Sequence, residues 1–249
     1  MRSAGLVAVL LLSLASSPTT CREIDPELRT FVSTLERYST TKNDVIFLLE
    51  SGNIEADHFS DALFFTETLA RLFIVSPEYS RLTVMTSSDQ NLVHIDQVRN
   101  IDDANMCTFA HDVKWIQHRS GNTKTREALE HATTILRDAR HGVNKIIILI
   151  SGALSNGGSE TYTAALSLKD DGVIIFCVGV ADVNQQKLST LATTTSHAYF
   201  FSSFEYIRSA SRSLQRGKPV LIIPNLNNHK TRHSVYIWYV ITGIVETRF

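Results

Sequence analysis

The chain has 249 residues, with 24 lysines and arginines against 25 aspartates and glutamates, so its formal net charge is −1. This balance disfavours a dedicated binder of nucleic acid or of an anionic membrane, because such proteins carry a basic excess or a basic patch. A hydrophobic fraction of 43% with 20% charged residues excludes a wholly disordered chain. Three cysteines are too few for a disulfide scaffold.

The start of the chain has the composition of a targeting signal. Arg2 supplies a short positive region, the apolar run Leu6–Leu14 follows, and small residues come at positions 15–17. The run is long enough for a secretory signal and shorter than the roughly 20 residues that span a bilayer. We therefore predict a signal peptide over residues 1–20 and a secreted mature chain; an uncleaved anchor is the alternative. Residues 21–42 form a lead-in segment with some helical character.

From residue 43 onward, short apolar runs alternate with amphipathic stretches. The apolar runs are Val45–Leu49, Leu82–Thr86, Lys145–Ile150 and Val173–Val180. Apolar residues recur at helical spacing over 59–73, 128–139, Thr161–Lys169, Gln185–Ala192 and Phe204–Leu214. Continuous apolar runs are typical of strands buried on both faces. This order predicts an α/β fold, a doubly wound and mostly parallel sheet flanked by helices on both faces, with Leu92–Ile95 as an antiparallel edge strand.

Local signals mark the last elements of this predicted domain. Gly172, after Asp171, predicts the end of one helix, because glycine readily adopts the left-handed conformation that closes many helices. Ser203 predicts the N-cap of the last helix. We place the domain at residues 43–216 and assign residues 217–249 to a tail of unknown structure. The last apolar run of the tail, Ser234–Val245, is too short for a transmembrane helix, so none is predicted.

Three loops rich in hydroxyl and amide side chains adjoin the predicted strands. One follows the first strand at residues 50–54, the second precedes a helix at 120–125, and the third follows a buried strand at 151–158. Ligands of doubly wound sheets bind at the carboxyl ends of the strands, where such loops converge. Oxygen atoms from the three loops are the donors that a hard cation such as Mg²⁺ prefers.

The same loops carry a resemblance to a known family. The segments Asn43–Ile54, Gly121–Leu129 and Lys145–Gly158 resemble the three signature segments of the von Willebrand factor type A domain. GNTKTREAL is similar to its G-x-T-x-T-x-x-A-L helix start, and KIIILISGALSNGG is similar to its K-x-x-x-x-[IL]-T-D-G-x-S segment. The resemblance runs from about residue 42 to about 215, and it is nearest to matrix and adhesion proteins with sushi, EGF and pentraxin modules. It implies a module that binds an extracellular protein.

The resemblance also implies a metal-ion-dependent adhesion site, where Mg²⁺ keeps one coordination position open for a carboxylate of the partner. The family's first loop reads D-x-S-x-S, and here that loop is one residue short. Counted from the strand, Glu50 stands at the aspartate position. Counted back from Ile54, Ser51 and Asn53 match the two serines. In that alignment Leu49 falls at the aspartate position.

The other two loops match the family's metal ligands only in part. Thr123 matches the threonine of the middle loop. The third loop reads Ser151-Gly152-Ala153 where the family has Thr-Asp-Gly, so the acidic residue is missing. Mg²⁺ is held by one or two carboxylates together with neutral oxygens and water. Hydroxyls and amides alone would not neutralise the positive charge of the Mg²⁺ ion.

We therefore expect a degenerate site whose loops keep their shape through hydrogen bonds and hold no cofactor. The candidate binding residues are Glu50, Ser51, Asn53, Thr123, Ser151 and Gly152. The Asn53 amide can replace part of the metal's role as a donor. The alternative is a weakened Mg²⁺ site with Glu50, Ser51, Asn53 and Thr123 as ligands.

The cysteines and tryptophans are assigned to no site. Cys177 lies inside an apolar run and is expected to be a buried thiol. Cys107 is expected to be partly exposed on a helix; it can pair with Cys21, pair with another chain or stay free. Trp115 and Trp238 are expected to be packing residues rather than ligand platforms.

No nucleophile elbow, zinc-protease motif or dinucleotide-binding motif occurs in the sequence. Together with the resemblance, this favours a secreted, non-enzymatic binding module of the adhesion or matrix type, with an extracellular protein as partner and no nucleic acid. One alternative is a hydrolase or nucleotide-binding enzyme on another doubly wound fold. Another is a structural or truncated fragment of a multidomain matrix protein.

Overall fold

A computed structural model of the protein describes residues 25–152 and 158–217. The predicted signal peptide at 1–20, Cys21, most of the third loop, and the tail from residue 218 with Trp238 lie outside the described residues. Of the two cysteines inside them, Cys107 is exposed and Cys177 is buried, and neither forms a disulfide there. The predicted buried thiol is confirmed, and the pairing of Cys107 with Cys21 stays a prediction.

One sheet organises the described residues. Its strands are β1 (Asn43–Glu50), β2 (Ser80–Ser87), β3 (Asn91–Asp96), β4 (Asn144–Ser151), β5 (Ile174–Val180) and β6 (Ala198–Phe201). Their spatial order is β3-β2-β1-β4-β5-β6, and every neighbouring pair is parallel except β2 with β3. This confirms the predicted, mostly parallel sheet with its antiparallel edge strand. We call the edge that holds the carboxyl ends of the parallel strands the upper edge, and the opposite one the lower edge.

Helices cover both faces of this sheet, as predicted. They are α1 (Pro26–Glu36), α2 (Ala56–Ala70), α3 (Met106–Asp112), α4 (Thr125–Arg137), α5 (Ser159–Asp170), α6 (Gln185–Leu191) and α7 (Phe204–Gly217). Helices α1, α2, α3 and α7 pack against one face, and α4, α5 and α6 against the other. Single turns of 3-10 helix lie at Ile101–Asp103, Val113–Trp115 and Thr195–His197. Within the described ranges, no helix combines the length and apolar character needed to cross a bilayer.

Strand β1 shows why the sequence reads as continuous apolar runs. Successive side chains of a strand point to opposite faces of the sheet. Val45, Phe47 and Leu49 join the core on the α2 side, and Ile46 and Leu48 join the core on the α4 side. A central strand that is buried on both faces has no position for solvent-facing polar residues, so its hydrophobicity does not alternate.

Two predicted helix boundaries are confirmed by local geometry. Gly172 follows α5 with a φ of 75°, in the left-handed region that favours glycine. Its backbone N–H donates to the Lys169 carbonyl at 2.9 Å, which closes the helix. At the start of α7, the Ser203 hydroxyl accepts the Tyr206 N–H at 3.1 Å, as an N-cap serine does.

Strand β6 and helix α1 add to what the sequence predicted. No strand was expected at Ala198–Phe201, because four residues are too few for a recognisable run. Helix α1 realises the helical character of the lead-in segment, and it places Leu28 and Phe31 in the core. The Glu27 carboxylate of α1 accepts the Phe200 N–H at 2.6 Å. Helix α1 therefore satisfies one N–H of this edge strand that would otherwise be open to pairing.

A buried ion pair fixes the lower edge. The Asp44 side chain is fully buried near the start of β1, and the Arg140 guanidinium lies 2.6 Å from it. The Arg140 backbone N–H also donates to this carboxylate at 3.0 Å. The same guanidinium donates to the main-chain carbonyls of Asn43 and Tyr79, at 2.9 and 2.7 Å. One arginine thus joins β1 to the segment that leads into β2.

Candidate functional site

The carboxylate of Glu50 lies at the centre of the upper edge. Glu50 is the last residue of β1, and only 1% of it is exposed. One carboxylate oxygen accepts a hydrogen bond from the Thr125 hydroxyl, and the other accepts one from the Ser151 hydroxyl. Thr125 begins α4 and Ser151 ends β4, so the carboxylate joins three elements.

Burial changes the acidity of this carboxyl group. Desolvation raises the pKa of Glu50 from an ordinary value of 4.5 to about 7, and the hydrogen bonds from Ser151 and then Thr125 oppose the rise. Burial disfavours the charged form, whereas hydroxyl donors favour it. No lysine, arginine or histidine among the described residues pairs with Glu50. The site therefore contains an acid that is only partly ionised near neutral pH.

Main-chain hydrogen bonds hold the first loop against the end of β2. The backbone N–H groups of Ser51 and Gly52 both donate to the Ser87 carbonyl, at 2.9 and 3.1 Å. The Lys124 N–H donates to the Ser87 hydroxyl at 3.1 Å, which fastens the middle loop to the same residue. Ser51 itself is fully buried.

Direct bonds also join the first loop to the middle loop. The Asn53 N–H donates to the Gly121 carbonyl at 3.1 Å, and the Thr123 hydroxyl donates to the Gly52 carbonyl at 3.1 Å. A Cβ atom on Gly52 would lie 2.6 Å from the Gly121 carbonyl oxygen, so the two loops approach as closely as only glycine permits. The predicted site residues of these loops are thus brought together.

Asn53 and Gly152 occupy opposite kinds of environment. Asn53 is exposed, with a φ of 58° in the left-handed region that asparagine tolerates. Its side chain makes no hydrogen bond within the described residues, so the donor role expected for its amide belongs here to its backbone N–H. Gly152 is partly buried, and a Cβ atom there would lie 2.6 Å from the ring of Phe204 and 2.8 Å from Ile54. A larger residue at that position would require these side chains to move.

Sequence reasoning missed three residues of this edge. Thr125 was assigned no role, although it donates to Glu50. The Asp89 carboxylate accepts the Asn122 N–H at 2.9 Å from the turn between β2 and β3. The His118 Nε2 atom lies 3.1 Å from the Ser51 carbonyl oxygen. Asp89 was predictable in part, because the turn after a parallel strand lies at the upper edge; His118 is 67 residues from Ser51, and no local pattern signals that contact.

The donor set described here does not fit a Mg²⁺ ion. Octahedral coordination needs oxygen lone pairs that converge on one point and offset the charge. Both oxygens of Glu50 accept hydroxyl hydrogens, the Thr123 hydroxyl is turned to Gly52, and Gly152 supplies no carboxylate. Among the described residues, no three histidine, cysteine, aspartate or glutamate side chains are grouped as a metal would require.

The exposure of Trp115 contradicts the prediction that it is a packing residue. It is 69% exposed, at the end of the 3-10 turn that follows α3. The turn instead buries its first residue, Val113, and Ile116 follows in the core. The apolar positions of such a short turn are too few to show from sequence which side faces inward.

The comparison with known proteins identifies the family. The sequence pattern of the von Willebrand factor type A domain matches residues 44–212. The chain belongs to the von Willebrand factor type A domain family. The doubly wound sheet and the contacts between the first and middle loops agree with this membership, and the resemblance drawn from the signature segments is confirmed.

Relatives of the domain occur in large multidomain proteins. The sushi, von Willebrand factor type A, EGF and pentraxin domain-containing protein 1 of Rattus norvegicus is 31% identical over 193 residues, which cover 74% of this chain and 5% of that protein. The collagen alpha-4(VI) chain of Mus musculus is 28% identical over 200 residues, which cover 77% of this chain and 8% of that one. The chain thus spans a small part of the length of either relative.

Solved structures agree at the level of the fold. Proximal thread matrix protein 1 of the mussel byssus superposes with a TM-score of 0.62 at 17% sequence identity, over 71% of this chain and 45% of that chain. That protein was solved with a zinc-occupied metal-ion-dependent adhesion motif. At this identity the likeness establishes a shared architecture and carries no ligand over to the present chain.

Proposed function

We propose that the chain is a secreted, non-enzymatic module that binds an extracellular protein through the loops of its upper edge. The observation that carries this proposal is the convergence of the first and middle loops, fastened to each other and to β2 by direct hydrogen bonds. A surface that is ordered before binding loses less conformational entropy when a partner docks. Membership in a family whose relatives include a collagen VI chain supports a matrix partner.

Binding by this module does not depend on a divalent cation. In the proposed site the hydrogen bonds to Glu50 join β1, α4 and β4, which is the joining that a central ion would otherwise provide. A cation at this position would find a single carboxylate, each of whose oxygens already accepts one hydroxyl hydrogen, from Thr125 and from Ser151. The Mg²⁺ requirement of one or two carboxylates in an octahedral set is then poorly met.

The six candidate residues have two roles: one is available to contact the partner, and the others fix the shape of the loops. Asn53 is exposed, so its amide is available to a partner. Glu50, Ser51, Thr123 and Ser151 are buried and fix the shape of the loops. Gly152 leaves room for the ring of Phe204.

A binding assay tests the contact assignment. The purified chain is applied to an insoluble layer of extracellular matrix in the presence of a chelator, and bound protein is quantified against concentration. We expect saturable binding that is weakened by Asn53→Ala and by Thr123→Ala. His141→Ala is the matched control, because His141 is exposed beyond the end of α4 at the lower edge. Unaltered binding by both upper-edge variants, or absence of binding to the layer, contradicts the proposal.

A calorimetric titration tests the metal assignment separately. Chelator-stripped protein is titrated with Mg²⁺ and with Mn²⁺, and thermal unfolding is recorded in each. A metal that binds only the folded state raises its stability by mass action. We expect neither heat of binding nor a shift in melting temperature. Saturable binding that is lost on Thr123→Ala would show that the cation site is intact.

The non-enzymatic assignment has its own test. No observation on the upper edge favours turnover: the one buried acid is enclosed by hydroxyls rather than presented to a cleft. We expect the purified protein to hydrolyse neither nucleotides nor activated esters. Clear turnover that disappears in Glu50→Gln would show that the protein is an enzyme rather than a binding module.

A further inference from the structure

A short motif at the start of α3 has no part in the proposed binding surface. The chain reads Asn105-Met106-Cys107 at this point. Asparagine followed two residues later by serine or threonine is the acceptor of N-linked glycans, and no such triplet occurs in the sequence. Cysteine carries an S–H group at the γ position where serine carries its O–H, and this group is a weaker donor and acceptor. The triplet at 105–107 therefore has the pattern of a glycan acceptor in which a thiol replaces the hydroxyl.

Both side chains that the motif requires are on the surface. Asn105 and Cys107 are exposed, whereas Phe109 and Ala110 of the same helix are buried. The Cys107 thiol forms no disulfide within the described residues. Helix α3 thus packs its apolar side on the core and leaves the motif in solvent, which is where a bulky, hydrated glycan has to lie.

The Asn105 side chain keeps its nitrogen atom accessible. Asn105 is the N-cap of α3, and its Oδ1 atom accepts the Thr108 N–H at 2.8 Å. Its Nδ2 atom lies 3.5 Å from the Asp103 carbonyl oxygen, at the limit of a hydrogen bond. A glycan replaces one of the two hydrogens on Nδ2, so the other hydrogen is left for that contact and Oδ1 is left for the cap. Attachment at Nδ2 is therefore compatible with the folded start of the helix.

A buried glutamine holds the backbone beside this motif. Gln97 is fully buried, and its Nε2 atom donates to the carbonyls of Asp103 and Asn105 at 2.8 and 3.2 Å. Its Oε1 atom accepts the Leu82 N–H at 3.2 Å. Leu82 is near the start of β2, so Asn105 lies toward the lower edge. The span from Leu82 to Ser87, where the upper loops are fastened, is roughly 16 Å at about 3.3 Å per residue. A glycan on Asn105 thus begins well away from the proposed binding surface.

We propose that Asn105 is N-glycosylated, with the Cys107 thiol in the place of the usual hydroxyl. In this reaction Nδ2 forms a bond to the anomeric carbon of an oligosaccharide carried on a polyprenyl pyrophosphate. The bond from that carbon to the pyrophosphate oxygen breaks, the lipid pyrophosphate leaves with the bonding electrons, and Nδ2 loses one proton. The thiol takes part in its reduced form, so the modification precedes any disulfide of Cys107. This inference rests on the proposed secretion, because chains meet this oligosaccharide donor when they enter the secretory pathway.

The test follows the full chain through mammalian cells. The chain is expressed with its own first residues, medium and cell lysate are separated, and electrophoretic mobility is compared before and after treatment with peptide-N-glycosidase. We expect a slower form that the enzyme removes, and conversion of the asparagine at position 105 to aspartate in the mass spectrum of the treated protein. Because a thiol is a weaker donor and acceptor than a hydroxyl, we expect the glycan on only part of the molecules.

Matched variants decide whether the triplet is the acceptor. Asn105→Asp keeps a side-chain oxygen for the Thr108 N–H but lacks the acceptor amide, so the slower form should disappear while the helix start is retained. Cys107→Ala should also abolish the slower form, whereas Cys107→Ser should increase its fraction because the hydroxyl is restored. Asn100→Gln is the control, because Asn100 is an exposed asparagine with Asp102 two residues later, and it should leave the slower form unchanged.

The location of the chain separates this proposal from the proposed secretion. Chain in the medium whose mobility the enzyme does not change, or a slower form that the enzyme still removes from Asn105→Asp, overturns the glycan and leaves secretion standing. Equal glycan fractions in the wild-type protein, Cys107→Ala and Cys107→Ser overturn the role of the thiol. Glycosylated chain that is retained in the cell supports the glycan and contradicts secretion. Chain found only in the cytosol contradicts both.

The matrix-layer assay separates the glycan from the proposed binding function. Because Asn105 lies toward the lower edge, we expect the wild-type protein and Asn105→Asp to bind the layer equally. A change in binding on loss of the glycan overturns its placement away from the upper loops. If neither protein binds the layer while the enzyme-sensitive form is present, the binding function fails and the glycan stands.

Discussion

Strand β1 buries a carboxylate at each end, and the two are stabilised in different ways. At the lower edge, Asp44 is fully buried and meets the guanidinium of Arg140. At the upper edge, Glu50 is 1% exposed, and its partners among the described residues are the hydroxyls of Thr125 and Ser151. The same strand thus carries one acid opposite a full positive charge and one acid opposite neutral dipoles.

This difference separates a structural end of the sheet from an adaptable one. A guanidinium with several donors offsets the charge of a buried carboxylate and joins the main-chain segments around it. Hydroxyl donors offset that charge only in part, so desolvation prevails and the pKa of Glu50 rises to about 7. The lower edge is built for stability, whereas the upper edge keeps a group whose protonation changes near neutral pH.

Removal of the lower-edge cation should have the largest effect. In Arg140→Ala, Asp44 is left buried without a positive partner, and several carbonyls lose their donor. Breaking a buried pair in this way costs about 3–5 kcal/mol. We expect the free energy of unfolding, measured by urea titration, to fall by that amount. Arg137→Ala, at an exposed arginine that ends α4 three residues before Arg140, should change it by less than about 0.5 kcal/mol. Equal effects of the two variants would mean that the ion pair does not fix the lower edge.

The upper-edge acid should instead make stability depend on pH. Between about pH 4.5 and pH 7 the folded protein keeps a proton on Glu50 that the unfolded chain releases, so stability is highest at the acid end and is lost as the pH rises. With about 1.4 kcal/mol per pKa unit, the loss approaches about 3 kcal/mol and levels off above pH 7. The measurement is the free energy of unfolding from pH 4.5 to 8.

Glu50→Gln supplies the reference for that measurement. The amide has nearly the same shape but does not titrate in this range, so the difference between the two proteins isolates the contribution of Glu50 from that of every other group. We expect the wild-type protein to lose stability relative to the variant as the pH rises. Parallel curves would show that the Glu50 carboxyl has an ordinary pKa and that the two ends of β1 do not differ as described.

A substitution that disturbs the close approach of the first and middle loops should have an intermediate effect on stability. In Gly52→Ala, the added Cβ would lie 2.6 Å from the Gly121 carbonyl oxygen and 2.7 Å from the Thr123 nitrogen. Both contacts are with backbone, so one loop must move, at a cost of about 1–3 kcal/mol. Gly158→Ala is the control, because a Cβ atom there meets nothing within 4 Å. We expect a lower melting temperature and weaker matrix binding for Gly52→Ala alone; unchanged values would show that the loops are not locked.

The fold was largely predictable because its core strands are buried on both faces. Runs such as Ile146–Ile150 and Val173–Val178 are continuous only for that reason, and glycine and serine at helix ends mark where the elements change. Strand β6 escaped prediction, since four residues at an edge show neither continuity nor a clear alternation. The outward side of Trp115 escaped it as well, because a single 3-10 turn has no apolar periodicity.

The location of the candidate site could be predicted from the sequence, but its hydrogen bonds could not. Residues 50–53, 123 and 151 could be assigned to one edge, because parallel strands and the helices that follow them share it. The hydrogen bonds of Glu50 could not, since two alignments of a shortened loop placed either Glu50 or Leu49 at the acidic position. The contact of His118 with Ser51 depends on how α3 packs, which local sequence does not encode.

The smallest effects on stability are expected for substitutions at the two ends of β2. Ser80 and Ser87 are its first and last residues, and both are fully buried. The Ser80 hydroxyl accepts a hydrogen bond from the Asn43 amide at 2.9 Å, and the Ser87 hydroxyl accepts the Lys124 N–H at 3.1 Å. Each alanine variant loses one hydrogen bond, at a cost of about 1 kcal/mol.

Binding should distinguish these serines even though stability does not. Ser87→Ala frees the end of the middle loop, just before α4, so binding to the matrix layer should weaken. Ser80→Ala changes only the lower edge and should bind as the wild-type protein does. Both variants are measured at a temperature where each is fully folded. Equal losses of binding would mean that overall stability, rather than the geometry of the upper loops, limits partner recognition. An effect of Ser87→Ala alone would show that the hydrogen bonds of the upper edge position the binding surface.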